Sequence, residues 1–204
     1  MLNLVAKAGL SASILLLGVS SSARAGGTIT GAGATFPAQI YQRWFGMIAG
    51  NGGPRVNYQA IGSGSGRKAY LDQTVNFGAS DDPIIRRDIL KVKRGVVQIP
   101  MVGGTIAFGY NKPGCDLKLT QEQAVKVAMS VIKNWKELGC APGPINWVHR
   151  SDGSGTTKAF TSSMKAFSSA WTLGSGKAVR WPSGVGAKGN AGVAAVIKNQ
   201  EGAV

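Results

Sequence analysis

The chain has 204 residues, with 23 lysines and arginines against 9 aspartates and glutamates, for a formal net charge of +14. That length holds one large domain or two small ones, and 44% hydrophobic with 16% charged residues excludes a disordered chain. The positive surplus attracts anions, without choosing among small ions, nucleic acid and anionic surfaces.

In chain order, residues 1–25 read as a secretory signal peptide: Lys7, a short apolar stretch from Ala8 to Val19, and Ala23-Arg24-Ala25 as a small-x-small cleavage site before Gly26. The apolar stretch falls short of the ~20 residues a membrane-spanning helix needs. A buried N-terminal helix is the competing reading. Export would place the mature protein in the periplasm. There the only two cysteines, Cys115 and Cys140, read as one disulfide, with two buried free thiols as the alternative. Neither they nor the single histidine suggest a metal site.

The pattern then alternates strand and helix. Strands are expected at Thr28–Gly31, Arg55–Ala60, Val75–Gly78, within Val96–Tyr110, and at Ile145–His149. Helices are expected at Pro37–Ala49, Ser65–Gln73, Pro83–Val92, from the Thr120/Gln123 capping box to about Ile132, at Ser154–Phe167 and at Ala191–Asn199. Gly186–Asn190 reads as a loop. Phe160, Met164, Phe167 and Trp171 recur at helical spacing and are assigned to the core. Such alternation argues for an α/β fold with a largely parallel sheet.

Three segments repeat one chemical idea: GAGATFP (31–37), IGSGSG (61–66) and RSDGSGT (150–156). Each sits between a strand and a helix and offers small residues with a hydroxyl at the helix entrance, where unpaired N–H groups and the helix dipole favour an anion. Singly they are ordinary caps; together they suggest a shared ligand. Arg150 can give two parallel bonds to a tetrahedral oxyanion, or form a surface salt bridge with Asp152. Asp81, in FGASDDP, repels an anion unless the ligand carries a proton to donate, as monohydrogen phosphate does; a helix cap is its competing role.

Together these stretches closely resemble the phosphate-binding receptors of Pst phosphate transporters: TGAGATFPAQIY (30–41), VNYQAIGSGSG (56–66), VNFGASDDP (75–83), RSDGSGTT (150–157) and WPSGVGAKGNAGVAA (181–195). The resemblance implies a periplasmic-binding-protein-like two-lobe α/β fold with mixed, largely parallel sheets. Residues 26–83 would lie in the first lobe and 84–204 in the second. It implies phosphate ligation by Thr35, Phe36, Ser63, Asp81, Arg150, Ser154, Gly155 and Thr156, with Asp152 orienting Arg150. No cofactor, metal or catalysis is implied; the partners would be inorganic phosphate and the membrane permease of an ABC importer. The GSGSG loop departs from the family's usual GSSGG form. The family also continues for about another third beyond Val204, so the chain reads as a fragment with an incomplete first lobe and an aggregation liability.

A secreted serine hydrolase or phosphatase is the rival reading. It would need His149, the only histidine, and the chain has no Gly-x-Ser-x-Gly elbow. The sequence also lacks a Walker ending after Gly62–Lys68 and a basic run interleaved with aromatics.

Overall fold

The computed structural model describes residues 27–204; the signal-peptide expectation lies outside them. Three parallel strands, β1 (Ile29–Gly33), β2 (Val56–Gln59) and β3 (Phe77–Ala79), form a sheet in the order β2-β1-β3. Parallel neighbours need crossovers. α1 (Ala38–Gly50) connects β1 to β2 and α2 (Ser63–Leu71) connects β2 to β3. Gly66 lets α2 lie against β1: a Cβ there would stand 2.2 Å from the Gly33 Cα. Tyr41, Phe45, Tyr58 and Phe77 pack between α1 and the sheet.

A second parallel sheet pairs β4 (Val148–Arg150) with β5 (Val185–Ala187). On the free side of β4, Val148 N–H donates to Val204 O at 2.8 Å and Val204 N–H to Asn146 O at 3.0 Å. α4 (Gln121–Ala128), α5 (Gly155–Phe167) and α6 (Gly189–Asn199) accompany this sheet, whereas the single turn α3 (Arg86–Ile89) follows β3, with Asp88 near Arg67 of α2. The core joins Val125, Val127 and Ala128 of α4 with Trp135, Trp147, Met164 and Trp171, each large side chain contributing about 1.5–3 kcal/mol by burial. Cys115 and Cys140 are joined by a disulfide beside it.

The α/β architecture and parallel pairing agree with the sequence reading, and five expectations need correction. The segment 96–110 forms no strand: none of the described strands pairs with it, and Val97, Ile99 and Met101 stand exposed. The helix expected over 83–92 shrinks to a single turn, because Ile85 is extended and Ile84 N–H donates to the Gln98 side chain. α4 stops at Ala128 because Ser130 adopts a left-handed backbone and Val131 N–H closes back on Lys126 O. Residues 185–187, partly assigned to a loop, are strand β5, with α6 starting at Gly189. Phe167 is 39% exposed rather than core, since α5 ends there and turns its last residue outward. Replacing Gly66 by Ala should cost about 1–3 kcal/mol by overpacking, read as a lower urea midpoint; an unchanged midpoint would show that α2 can back away from β1.

Candidate functional site

In a parallel sheet with crossover helices, every strand ends on the same side, where the next helix begins. Thr35 follows β1, Ser63 follows β2 and Asp81 follows β3, while Arg150 ends β4 and Ser154 opens α5. The two sheets face each other at these ends. Gly64 N–H donates to Gly153 O at 2.8 Å, Thr156 Oγ1 to Asp81 Oδ2 at 3.0 Å, and Asn190 N–H to Thr35 Oγ1 at 3.2 Å. Gly155 enters the same crevice: a Cβ on it would lie 2.6 Å from Asp81 Cβ and 2.7 Å from Ser63 Oγ. Thus Thr35, Ser63, Asp81, Arg150, Ser154, Gly155 and Thr156, distant in sequence, converge. Phe36, Arg150, Thr156 and Asn190 line an adjoining cavity of about 730 Å³ with Trp147, His149 and Trp181.

Arg150 is the electrostatic centre. Its side chain is 7% exposed and that of Asp152 12%, so their pair is buried rather than the surface bridge that spacing alone allowed. Asp152 accepts from Arg150 Nε at 2.6 Å and also from Nη2, while Asn190 Oδ1 accepts from Nη1 at 2.7 Å. A guanidinium has five N–H donors. With three engaged, one N–H on each terminal nitrogen remains, the fork that suits an oxyanion. Gly189 N–H also donates to Asp152 at 3.0 Å. Burial pushes the Asp152 carboxyl upward, but Arg150 and the Gly189 amide outweigh it and hold it below the usual carboxylate range.

Asp81 differs. Burial raises its carboxyl above the ordinary value and neighbouring Asp82 adds to this, against the opposing pull of the Thr156 hydrogen bond and Arg150. It does not cap the following helix, whose cap position is Ile85; it accepts instead from Thr156 at the start of α5. Ser63 Oγ accepts from Asp81 N–H at 3.3 Å. Ser154 is fully buried; its hydroxyl accepts from Thr157 N–H at 3.1 Å and its own N–H donates to Lys177 O at 2.9 Å. What Ser154 still has to give is the hydroxyl proton.

The sequence reading missed Asn190 and Lys177. Asn190 lies in the quoted GNAG stretch, but a side-chain partner of Arg150 forty residues away leaves no local pattern. The hydrolase alternative finds no support: His149 Nδ1 is 3.0 Å from the Arg150 carbonyl oxygen and its ring stacks on Trp181. Among the described residues no group of three His, Cys, Asp or Glu could hold a metal.

Because Asp152's folded value lies below its unfolded ~3.9, its contribution to stability is complete above that pH and is lost as pH falls through the folded value. Urea midpoints measured from about pH 6 to about pH 2 should fall on the acid side, and Asp152→Asn should flatten that fall. An identical acid slope in the variant would show that Asp152 plays no part in it.

Comparison with known proteins agrees with this geometry. The chain is 42% identical over 185 residues to the phosphate-binding protein PstS of Pasteurella multocida, covering 83% of this chain and 53% of that protein. It is 40% identical over 203 residues to the PstS of Haemophilus influenzae, covering 92% and 60%. The chain thus spans about half the length of the curated relatives it matches. Among solved structures, the high-affinity periplasmic phosphate-binding protein PfluDING, bound with phosphate, superposes with a TM-score of 0.71 at 25% identity, covering 86% of this chain and 55% of that one. The family described as the PBP superfamily domain matches residues 18–204, and the chain belongs to that superfamily.

Proposed function

We propose that this protein captures inorganic phosphate in the periplasm and presents it to the permease of an ABC importer, performing no chemistry on it. The observation that carries this reading is the convergence of one buried arginine fork, several helix-entrance hydroxyls and the Asp81 carboxylate at the facing strand ends. The periplasmic placement and the permease partner rest on the resemblance to PstS proteins; no described helix is long and apolar enough to cross a membrane.

The ligand's negative oxygens meet the free fork of Arg150, the hydroxyls of Ser63 and Ser154, and the amides around Thr35, Phe36, Gly155 and Thr156. Such donors are prepositioned within each half of the site, so little local reorganisation is needed there. Asp81, held by Thr156, uses its remaining acceptor capacity on the phosphate P–OH. An ionised carboxylate cannot donate, so a fully deprotonated tetrahedral anion such as sulfate meets unrelieved repulsion there. Selectivity therefore comes from one acceptor among donors. The net positive charge raises the encounter rate for anions, and the two halves, residues 26–83 and 84–204, would close over the ion as hinged lobes.

Isothermal titration should give phosphate binding with little response to sulfate. Turnover of a chromogenic phosphoester without phosphate binding would overturn the reading. Arg150→Ala should weaken phosphate binding at least tenfold, since each charge-assisted bond is worth about 1.5–3 kcal/mol. Asp81→Asn should narrow the gap between phosphate and sulfate, and unchanged selectivity would exclude Asp81 from the discrimination.

A further inference from the structure

Next to Asp81 stands a second carboxylate that the phosphate reading does not use. Asp82 is gripped by two cations from opposite sides of the crevice. Arg67, on the helix that Ser63 opens, donates from Nη2 to Asp82 Oδ2 at 3.0 Å and to the Pro83 carbonyl at 2.8 Å. Lys177, in the segment before β5, places Nζ 2.6 Å from Asp82 Oδ1 and 2.9 Å from Oδ2. Ser80 Oγ adds a hydrogen bond to Oδ1 at 3.1 Å. The three charged side chains are only 18–22% exposed, so water screens them weakly. Burial pushes Asp82 upward, but Lys177 and Arg67 overcome it and hold the carboxyl below its ordinary range.

Lys177 also works through its backbone. Its carbonyl accepts from the N–H of Ser154 at 2.9 Å, so the residue that grips Asp82 also fixes the entrance of α5, from which Thr156 reaches Asp81. One residue thereby ties the position of Ser154 and Thr156 to that of the Asp81-Asp82 loop. The ion cluster also offsets a negative charge that would otherwise face the anion and favour protonation of Asp81.

We propose that Lys177 and Arg67 are positioning residues for phosphate discrimination, acting through Asp82 to hold Asp81 in place. The inference rests on the phosphate reading above. It differs from a general attraction of the anion by Lys177, which would act without Asp82 and serve sulfate as well as phosphate.

The test is titration of phosphate and sulfate into the full chain carrying Lys177→Met, Lys177→Arg, Asp82→Asn, and Lys177→Met with Asp82→Asn, with folding of each followed by circular dichroism. Lys177→Met should lower phosphate affinity by about tenfold, the scale of one charge-assisted bond, with sulfate affinity unchanged or raised, and Lys177→Arg should restore most of the loss. Adding Lys177→Met to Asp82→Asn should cost little more, because the shared partner has gone. An equal loss for both anions, or a full Lys177→Met loss in the Asp82→Asn background, overturns the inference in favour of simple electrostatic attraction. Unchanged phosphate-to-sulfate preference in a folded Lys177→Met variant overturns it while leaving the phosphate reading intact. Should Lys177→Met fail to fold, the preference of Asp82→Asn decides instead: a narrowed preference supports the inference and an unchanged one overturns it. No phosphate binding by the unmodified chain overturns the reading and the inference together.

Discussion

A guanidinium cannot shed its charge at any ordinary pH, so an arginine held at 7% exposure forces its surroundings to answer it. In this protein Asp152 takes one edge of Arg150 and Asn190 one terminal nitrogen, and those partners are in turn held by the first turn of α6. The strand β4, the loop after it and the start of α6 are therefore locked into one arrangement by a single buried cation. Removing one partner of such a group leaves an uncompensated charge, which is far costlier than never having had the pair. One N–H on each terminal nitrogen of Arg150 has no partner in that arrangement.

The second constraint is topological. Parallel strands joined by crossover helices end together, so the sheet order β2-β1-β3 puts the residues after each strand side by side, whatever their distance along the chain. Small residues then decide how near the two halves come. Gly155 enters among Asp81 and Ser63 where any side chain would collide, and the Gly64–Gly153 backbone bond closes the remaining gap. The hydroxyls of Thr35, Ser63 and Thr156 each bond to a group from another segment, which converts isolated helix caps into a continuous polar wall.

Charge is arranged unevenly along that wall. Asp152 and Asp82 each face cations and are kept ionised, whereas Asp81 is pushed the other way by burial and by its neighbour. The difference matters because a carboxylate with no dedicated cation is the one available to accept a hydrogen bond from a ligand. Arg67 and Lys177 neutralise Asp82, so Asp81 stands as the one carboxylate of this loop without a cation in contact.

The α/β class, the parallel pairing and the three strand-to-helix turns could all be read from the chain, because glycine spacing, hydroxyls at helix starts and alternating apolar runs are local signals with local causes. The strand expected within 96–110 failed for the opposite reason: apolar, β-prone residues become a strand only when another backbone supplies an edge. Likewise no sequence pattern announces that Asn190 meets Arg150, that Lys177 meets Asp82, or that Asp81 accepts the Thr156 hydroxyl from a distant helix entrance. Composition and spacing determined which groups were available; the tertiary structure decided which of them share a desolvated space, since hydrogen bonds and ion pairs act over a few ångströms and are indifferent to separation along the chain.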